Sequence, residues 1–379
     1  MFLKYTNQIT GLIMAKGIIK LLILGVVLIV AAEATSCFIL NAYTHHSRKV
    51  KSDVRLVQYW EFDPYLMWIP KKNVAGYDKY SNYKMNNYGF RNSYDIEKEK
   101  GRDVFRIMVL GGSTSWGSGA SSNDSVWTKV IEDILRKKLT GKVEVLNAGC
   151  AGYTSFQESL YLQFKLLQFA PDLVIVMDGY NDLFMAALYT EEGYEPNASV
   201  QYDAEKRFFN ESIMAQALGL VANKSHLISL LRRIAEKVRY ERGQSLYGKG
   251  HLHDKGIRSY LENINTIESI LNGRNIKSLF LLQPYMGISK KHRSKEEEAM
   301  LLKNIQANDY MVTLMEKLRT EYGRFAIDNK LNYHDLSGIY DDVTESETVW
   351  FDHIHLNDNG HRILAEKVGA ILEDKGLLR

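Results

Sequence analysis

Ser113, Asp352 and His355 are the residues of this chain whose types and settings point to chemistry. A serine hydroxyl is a weak nucleophile until a base within reach takes its proton. A histidine, with an unperturbed pKa near 6.5, suits that task. A carboxylate that holds the far ring nitrogen leaves the other nitrogen for the hydroxyl. Asp352 and His355 lie three apart in Trp350-Phe-Asp-His-Ile-His-Leu-Asn-Asp-Asn-Gly-His361, a spacing that permits this contact near a helix start. Acyl transfer also needs donors for the developing oxyanion. Asn181, in Gly179-Tyr-Asn-Asp182, and the small-residue loop Ala148-Gly-Cys-Ala-Gly-Tyr-Thr154 are candidates. Each stretch also has a purely structural reading, as a βα turn or a turn residue. Ser115 is a second candidate nucleophile. His353 is a second candidate base, although no Asp stands three residues before it. His353, His355 and His361 beside Asp342, Asp352 and Asp358 invite a metal reading. The lack of a helical His-x3-His face or a Cys ligand speaks against it, so no metal is expected, and a Ser-His-Asp mechanism needs no organic cofactor.

The elements that must position these residues can be read from apolar runs. Phe105 to Leu110, followed by two glycines, reads as a buried strand of a parallel sheet. In open α/β sheets chemistry sits beyond the C-terminal ends of strands, which is where Ser113 stands. Val143–Asn147, Leu173–Asp178, Ser278–Pro284 and Asn332–Leu336 read as further strands. Helical spacing falls between them. Val126 to Leu139 is a helix with Asp124 or Ser125 as its cap. Further helices are expected around Phe156 to Phe169 and over Glu262 to Leu271, Lys295 to Leu318 and Ile363 to Leu377. The alternation predicts a three-layer α/β/α sandwich around a central parallel sheet of about five strands. Residues 185–255 exceed a simple connection and read as a helical insertion, with Ile213 to Val238 its main helix. It is an elaborated crossover, a lid or a membrane-facing element. Asn87-Tyr-Gly-Phe-Arg91 reads as a turn with a packed Phe90, or as a border of the pocket.

Composition narrows the class. Hydrophobic content of 45% with 25% charged residues is ordinary for a globular chain. A net charge of +3 without a dominant Lys/Arg block gives no footprint for nucleic acid. Two cysteines, Cys37 and Cys150, form no disulfide framework. Leu21 to Leu40 is 20 residues with one charge, Glu33, and follows Lys4, Lys16 and Lys20. It reads as a single-pass signal anchor with the main domain outside the cytoplasm. Cleavage at Ala32-Glu33-Ala34 or lipidation of Cys37 are the alternatives. The expected organisation is an anchor over 1–43, a linker and irregular segment over 44–103, and one large domain over 104–379.

Taken in order, four short blocks are similar to those of the SGNH, or GDSL-type, hydrolase superfamily, over roughly residues 104–375. They are strand–Gly-Gly-Ser, Asn-Ala-Gly-x-x-Gly, Gly-x-Asn-Asp, and Asp-x-x-His-Leu with a glycine five residues after that histidine. Each block is weak and the set is strong. The resemblance implies Ser113 as nucleophile, His355 as base and Asp352 as its orienter. It implies the Ser113 and Gly152 N–H groups and the Asn181 side chain as oxyanion donors. One departure is plain: Gly112 stands where the family has an Asp. The resemblance implies an ester hydrolase acting on a small acyl ester, an O-acylated glycan or a lipid. The same triad would also serve an O-acyltransferase on a cell-surface polysaccharide, and a non-catalytic glycan-binding protein on this fold is the third reading.

Overall fold

Five strands form one parallel sheet, in the order β6-β5-β7-β8-β9: β5 (Val104–Gly111), β6 (Lys142–Asn147), β7 (Leu173–Asp178), β8 (Lys277–Leu282) and β9 (Tyr333–Asp335). Side chains alternate between the two faces of a strand, so each apolar run feeds two cores. Met108, Leu110, Leu146, Val174, Val176, Phe280 and Leu282 enter one core. Ile107, Val109, Val145, Ile175, Leu279 and Leu281 enter the other. This is why the strands read as continuous apolar stretches: both faces are covered.

The computed structural model describes residues 20–21, 23–39, 59–77, 82–189, 193–197, 225–228, 230–231, 254–302 and 305–378. They divide into two compact units. One comprises residues 1–53 and 203–245, the other 54–202 and 246–379. In the larger unit, helices α1 (Ser113–Trp116), α2 (Trp127–Lys138), α3 (Ser155–Tyr161), α4 (Tyr180–Leu188), α5 (Lys255–Asn272), α6 (Lys295–Leu302), α7 (Ile305–Asp328) and α8 (Asp358–Asp374) follow the strands. Ile131 and Leu135 of α2 pack with Leu364, Val368 and Leu372 of α8 on one face. Ile264, Ile267 and Leu271 of α5 pack with Leu314, Leu318 and Tyr322 of α7 on the other. The result is the α/β/α sandwich of the sequence reading. Each of the buried Ile, Leu and Val side chains among them is worth about 1.5–3 kcal/mol relative to exposure.

Two short antiparallel hairpins precede the sheet, β1 (Trp60–Asp63) with β2 (Met67–Pro70) and β3 (Ala75–Tyr77) with β4 (Asn82–Lys84). The turn after them packs Phe90, which is buried, and its Gly89 has φ +86°. Arg91, also buried, donates to the carbonyls of Trp116 and Gly117 at 3.3 and 2.9 Å and to Asn123 Oδ1 at 3.1 Å. The segment thus braces the loop that follows Ser113.

Local details depart from expectation. A 3-10 turn over Asn123–Ser125 precedes α2, whose N-cap is Val126 with no side-chain cap, so neither Asp124 nor Ser125 caps the helix. The helix expected to Phe169 is α3 for seven residues, then a π turn and a 3-10 turn that ends at left-handed Ala170. The helix predicted over Ile213 to Val238 lies largely outside the described residues. In the smaller unit, residues 20–21 and 23–39 are helical, and Leu21, Leu24, Leu28 and Phe38 are among its exposed apolar side chains. The Glu33 carboxylate accepts from the Ser225 hydroxyl and from the backbone N–H groups of His226 and Leu227. No helix among the described residues is long and apolar enough to cross a membrane, so the expected anchor finds no support there.

One ion pair ties the sheet to the segment before it. Arg106 and Glu144, adjacent on β5 and β6, are 2.7 Å apart with almost no exposure. Arg106 also donates to the carbonyls of Lys98, Phe169 and Glu97. Arg106→Met leaves the buried Glu144 carboxylate to Lys142 alone and three carbonyls short of a donor. We expect a loss of about 3–5 kcal/mol in urea denaturation. A loss below about 1 kcal/mol would mean that water replaces the guanidinium.

Candidate active site

The strand order places β5 between the first strand added on one side and the first added on the other, which is the switch point where open α/β sheets leave a crevice. Ser113 follows the end of β5 and Asn181 the end of β7. The loop after β5 turns tightly. Gly111 has φ +142°, and a Cβ there would stand 2.2 Å from the Met177 carbonyl oxygen, so only glycine fits. Gly149 is held as closely, since its Cβ would lie 2.4 Å from Trp116 N.

Ser113 Oγ is 2.8 Å from His355 Nε2, and His355 Nδ1 is 2.7 Å from Asp352 Oδ2. With Nδ1–H donated to the carboxylate, Nε2 carries the lone pair that faces the hydroxyl. Asp352 and His355 do not lie in the first turn of a helix. They sit in a loop closed by a Trp350–Leu356 bridge, ahead of α8, whose N-cap is Asn357. Asp352 Oδ1 accepts the N–H groups of Ile354 and His355 at 2.9 and 2.8 Å. One carboxylate therefore shapes the turn and orients the ring. Burial pushes its pKa up, but the bonds from His355 and Ile354 prevail and hold it far below the ordinary range. It remains an anion at any working pH.

Ser115 is fully buried and donates its hydroxyl to the Met177 carbonyl at 2.8 Å, which takes it out of contention as nucleophile. His353 touches Tyr180 edge-on, with ring centroids 6.4 Å apart, and burial lowers its pKa. Among the described residues no three His, Cys, Asp or Glu side chains are grouped to hold a metal ion.

Gly152 has φ +84° in the loop after β6. Asn181 Nδ2 donates to the Tyr153 carbonyl of the same loop at 2.7 Å. The amide also lies against Gly112: a Cβ at position 112 would stand 2.6 Å from Asn181 Nδ2. The departure from the family pattern is thus matched by a close approach in this chain.

Three supporting residues received no role from the sequence. Asn147 Nδ2 reaches the carbonyls of Ser115 and Trp116 at 3.1 and 3.2 Å. Asp182 accepts the N–H and the hydroxyl of Ser155, the latter at 2.6 Å, and so joins α4 to α3. Burial first, and the Asp178 charge second, raise its pKa to about 7. Arg91 is the third. The Asn-Ala-Gly and Gly-x-Asn-Asp blocks contain the first two, and that was the available signal.

Residues 109–260 match the model of the GDSL-like Lipase/Acylhydrolase family. That range of the chain is similar to a GDSL-like hydrolase domain. Its class is that of the carboxylic ester hydrolases. The matched range holds Ser113, Gly152 and Asn181 and ends before Asp352 and His355. No curated protein matches the chain. Among solved structures, a putative lipolytic protein of the G-D-S-L family from Desulfitobacterium hafniense is similar at 10% identity and a TM-score of 0.39, covering 71% of this chain and 99% of that one. A lipase/acylhydrolase from Enterococcus faecalis aligns at 14% identity and 0.39, covering 71% and 96%. A catalytic mutant of an acetylxylan esterase from Geobacillus stearothermophilus aligns at 14% and 0.40, covering 75% and 99%.

His361 of α8 is fully buried, and burial, aided by the Arg91 charge, lowers its pKa to about 3. The unfolded chain takes up this proton near pH 6.5, the folded one only near pH 3. Stability from this group is therefore whole above pH 6.5 and is lost as pH falls toward 3. His361→Gln should flatten the stability–pH curve in that window by up to about 1.4 kcal/mol per pH unit. An unchanged slope in denaturation at several pH values would contradict a buried neutral imidazole.

Proposed function

We propose that this domain cleaves acyl esters, acetyl esters among them, with Ser113 as nucleophile, His355 as base and Asp352 as its orienter. The observation that carries the reading is the unbroken hydrogen-bond chain from Asp352 through His355 to Ser113. Ser113 Oγ attacks the acyl carbon as its proton passes to His355 Nε2. The oxyanion is held by the Ser113 and Gly152 N–H groups and by the Asn181 amide. One amide N–H is engaged with the Tyr153 carbonyl, and an oxyanion would take the second. Collapse expels the alcohol, which takes the proton from His355. Water, deprotonated in turn by His355, then releases the acid and restores the serine.

We assign the substrate to O-acylated glycans or lipids outside the cytoplasm, with the N-terminal segment as a membrane tether. The apolar run Leu21 to Leu40 and the exposed side chains of the helix within it support this. The full-length protein should stay with the membrane pellet through a high-salt wash. Release by salt would contradict the tether.

Ser113→Ala should lower kcat for a chromogenic acetyl ester by at least about a hundredfold. Equal rates would remove Ser113 from the mechanism. Gly112→Ala tests the oxyanion hole separately. The new methyl group meets the far end of a side chain, so the fold should hold while the Asn181 amide is displaced. We expect kcat to fall about tenfold to a hundredfold at unchanged KM. An unchanged kcat would take Asn181 out of the hole.

A further inference from the structure

Ser113 and Asn181 are placed directly by strand ends, whereas Asp352 and His355 stand in a loop well past the end of β9. Something other than the sheet must hold that loop. Its internal contacts, the Trp350–Leu356 bridge and Phe351 N–H to the His355 carbonyl at 2.9 Å, give it shape but do not attach it to the domain. Its entry is held by the burial of Val349 and Trp350 in the core and, through their N–H groups, by Glu297, the third residue of α6. Glu297 is fully buried, and its Oε1 accepts the backbone N–H groups of Val349 at 2.9 Å and Trp350 at 3.4 Å. Its Oε2 accepts Ser294 N–H at 3.0 Å and the Lys291 ammonium at 2.8 Å. Ser294 Oγ accepts Glu297 N–H in return, so the pair forms a capping box at the start of α6. The Lys291 and Glu297 side chains both have zero exposure.

We propose that Glu297, kept ionised by Lys291, is a positioning residue that sets the distance between His355 and Ser113. It touches neither reacting atom. A charged acceptor binds N–H donors about twice as strongly as a neutral one, and a buried ion costs too much to leave its partners. Burial tends to raise the pKa of Glu297, but the Lys291 bond and the Val349 and Ser294 N–H groups outweigh it and hold the group below its ordinary value. The inference rests on the Ser113–His355 reading above.

The test uses three variants of the full chain and separates the acceptor from the charge. Lys291→Met strands a buried carboxylate, so the denaturation midpoint should drop, yet the acceptor stays and kcat should hold within about threefold. Lys291→Met with Glu297→Gln removes both charges and keeps an amide oxygen for Val349, and kcat should again hold. Lys291→Met with Glu297→Leu removes the acceptor, and kcat should fall about tenfold to a hundredfold at unchanged KM. Equal kcat in the two double variants would overturn the proposal. If the Leu variant does not fold, the other two decide it: a fall in kcat that tracks stability in both would reduce the pair to a structural one. Equal activity of wild type and Ser113→Ala would instead overturn the reading of the site, and this inference with it.

Discussion

A hydroxyl reacts at neutral pH only where a base stands within hydrogen-bond distance, and a base is effective only if its ring cannot turn away. That constraint organises this domain. Ser113 and His355 come from opposite ends of the domain's sequence, 242 residues apart, and meet at 2.8 Å. The strand ends, the glycines that let loops touch, and the buried polar bonds behind the loops all serve that one contact.

The sheet does the coarse placement and buried polar groups do the fine placement. β5 and β7, adjacent at the switch point, deliver Ser113 and Asn181 side by side. The loop after Ser113 is anchored by Trp116, buried with Tyr83 and Met85, and its carbonyls are held by Arg91 from before the sheet and by Asn147 from the end of β6. The His355 loop is held in the same manner, through its N–H groups, by Asp352 within and Glu297 without. A buried backbone group that lost such a partner would cost about 1–3 kcal/mol, so each bond fixes position as well as adding stability.

This division explains what could be read from the sequence. The five strands were legible because burial on both faces leaves apolar runs such as Leu173 to Met177, and the α/β alternation followed. Ser113 and Asn181 stood out as candidates because each follows a strand end, and Asp352 and His355 because a carboxylate and an imidazole stand three apart just ahead of a helix. The start of α2 was misread because Asp124 and Ser125 resemble caps but belong to a 3-10 turn. Arg91, Asn147, Asp182 and Glu297 were not legible as supports. Their partners are mostly backbone groups far along the chain, and no periodicity marks a residue that serves a distant loop.

The most direct test of the central contact is covalent. An alkyl fluorophosphonate reacts when a serine Oγ attacks phosphorus and fluoride leaves, and peptide mass spectrometry then reports which serine was activated. The account predicts a single adduct on Ser113 in the folded protein, with labelling reduced at least about a hundredfold in His355→Ala. An adduct on another serine, or equal labelling of Ser113 with and without His355, would contradict it.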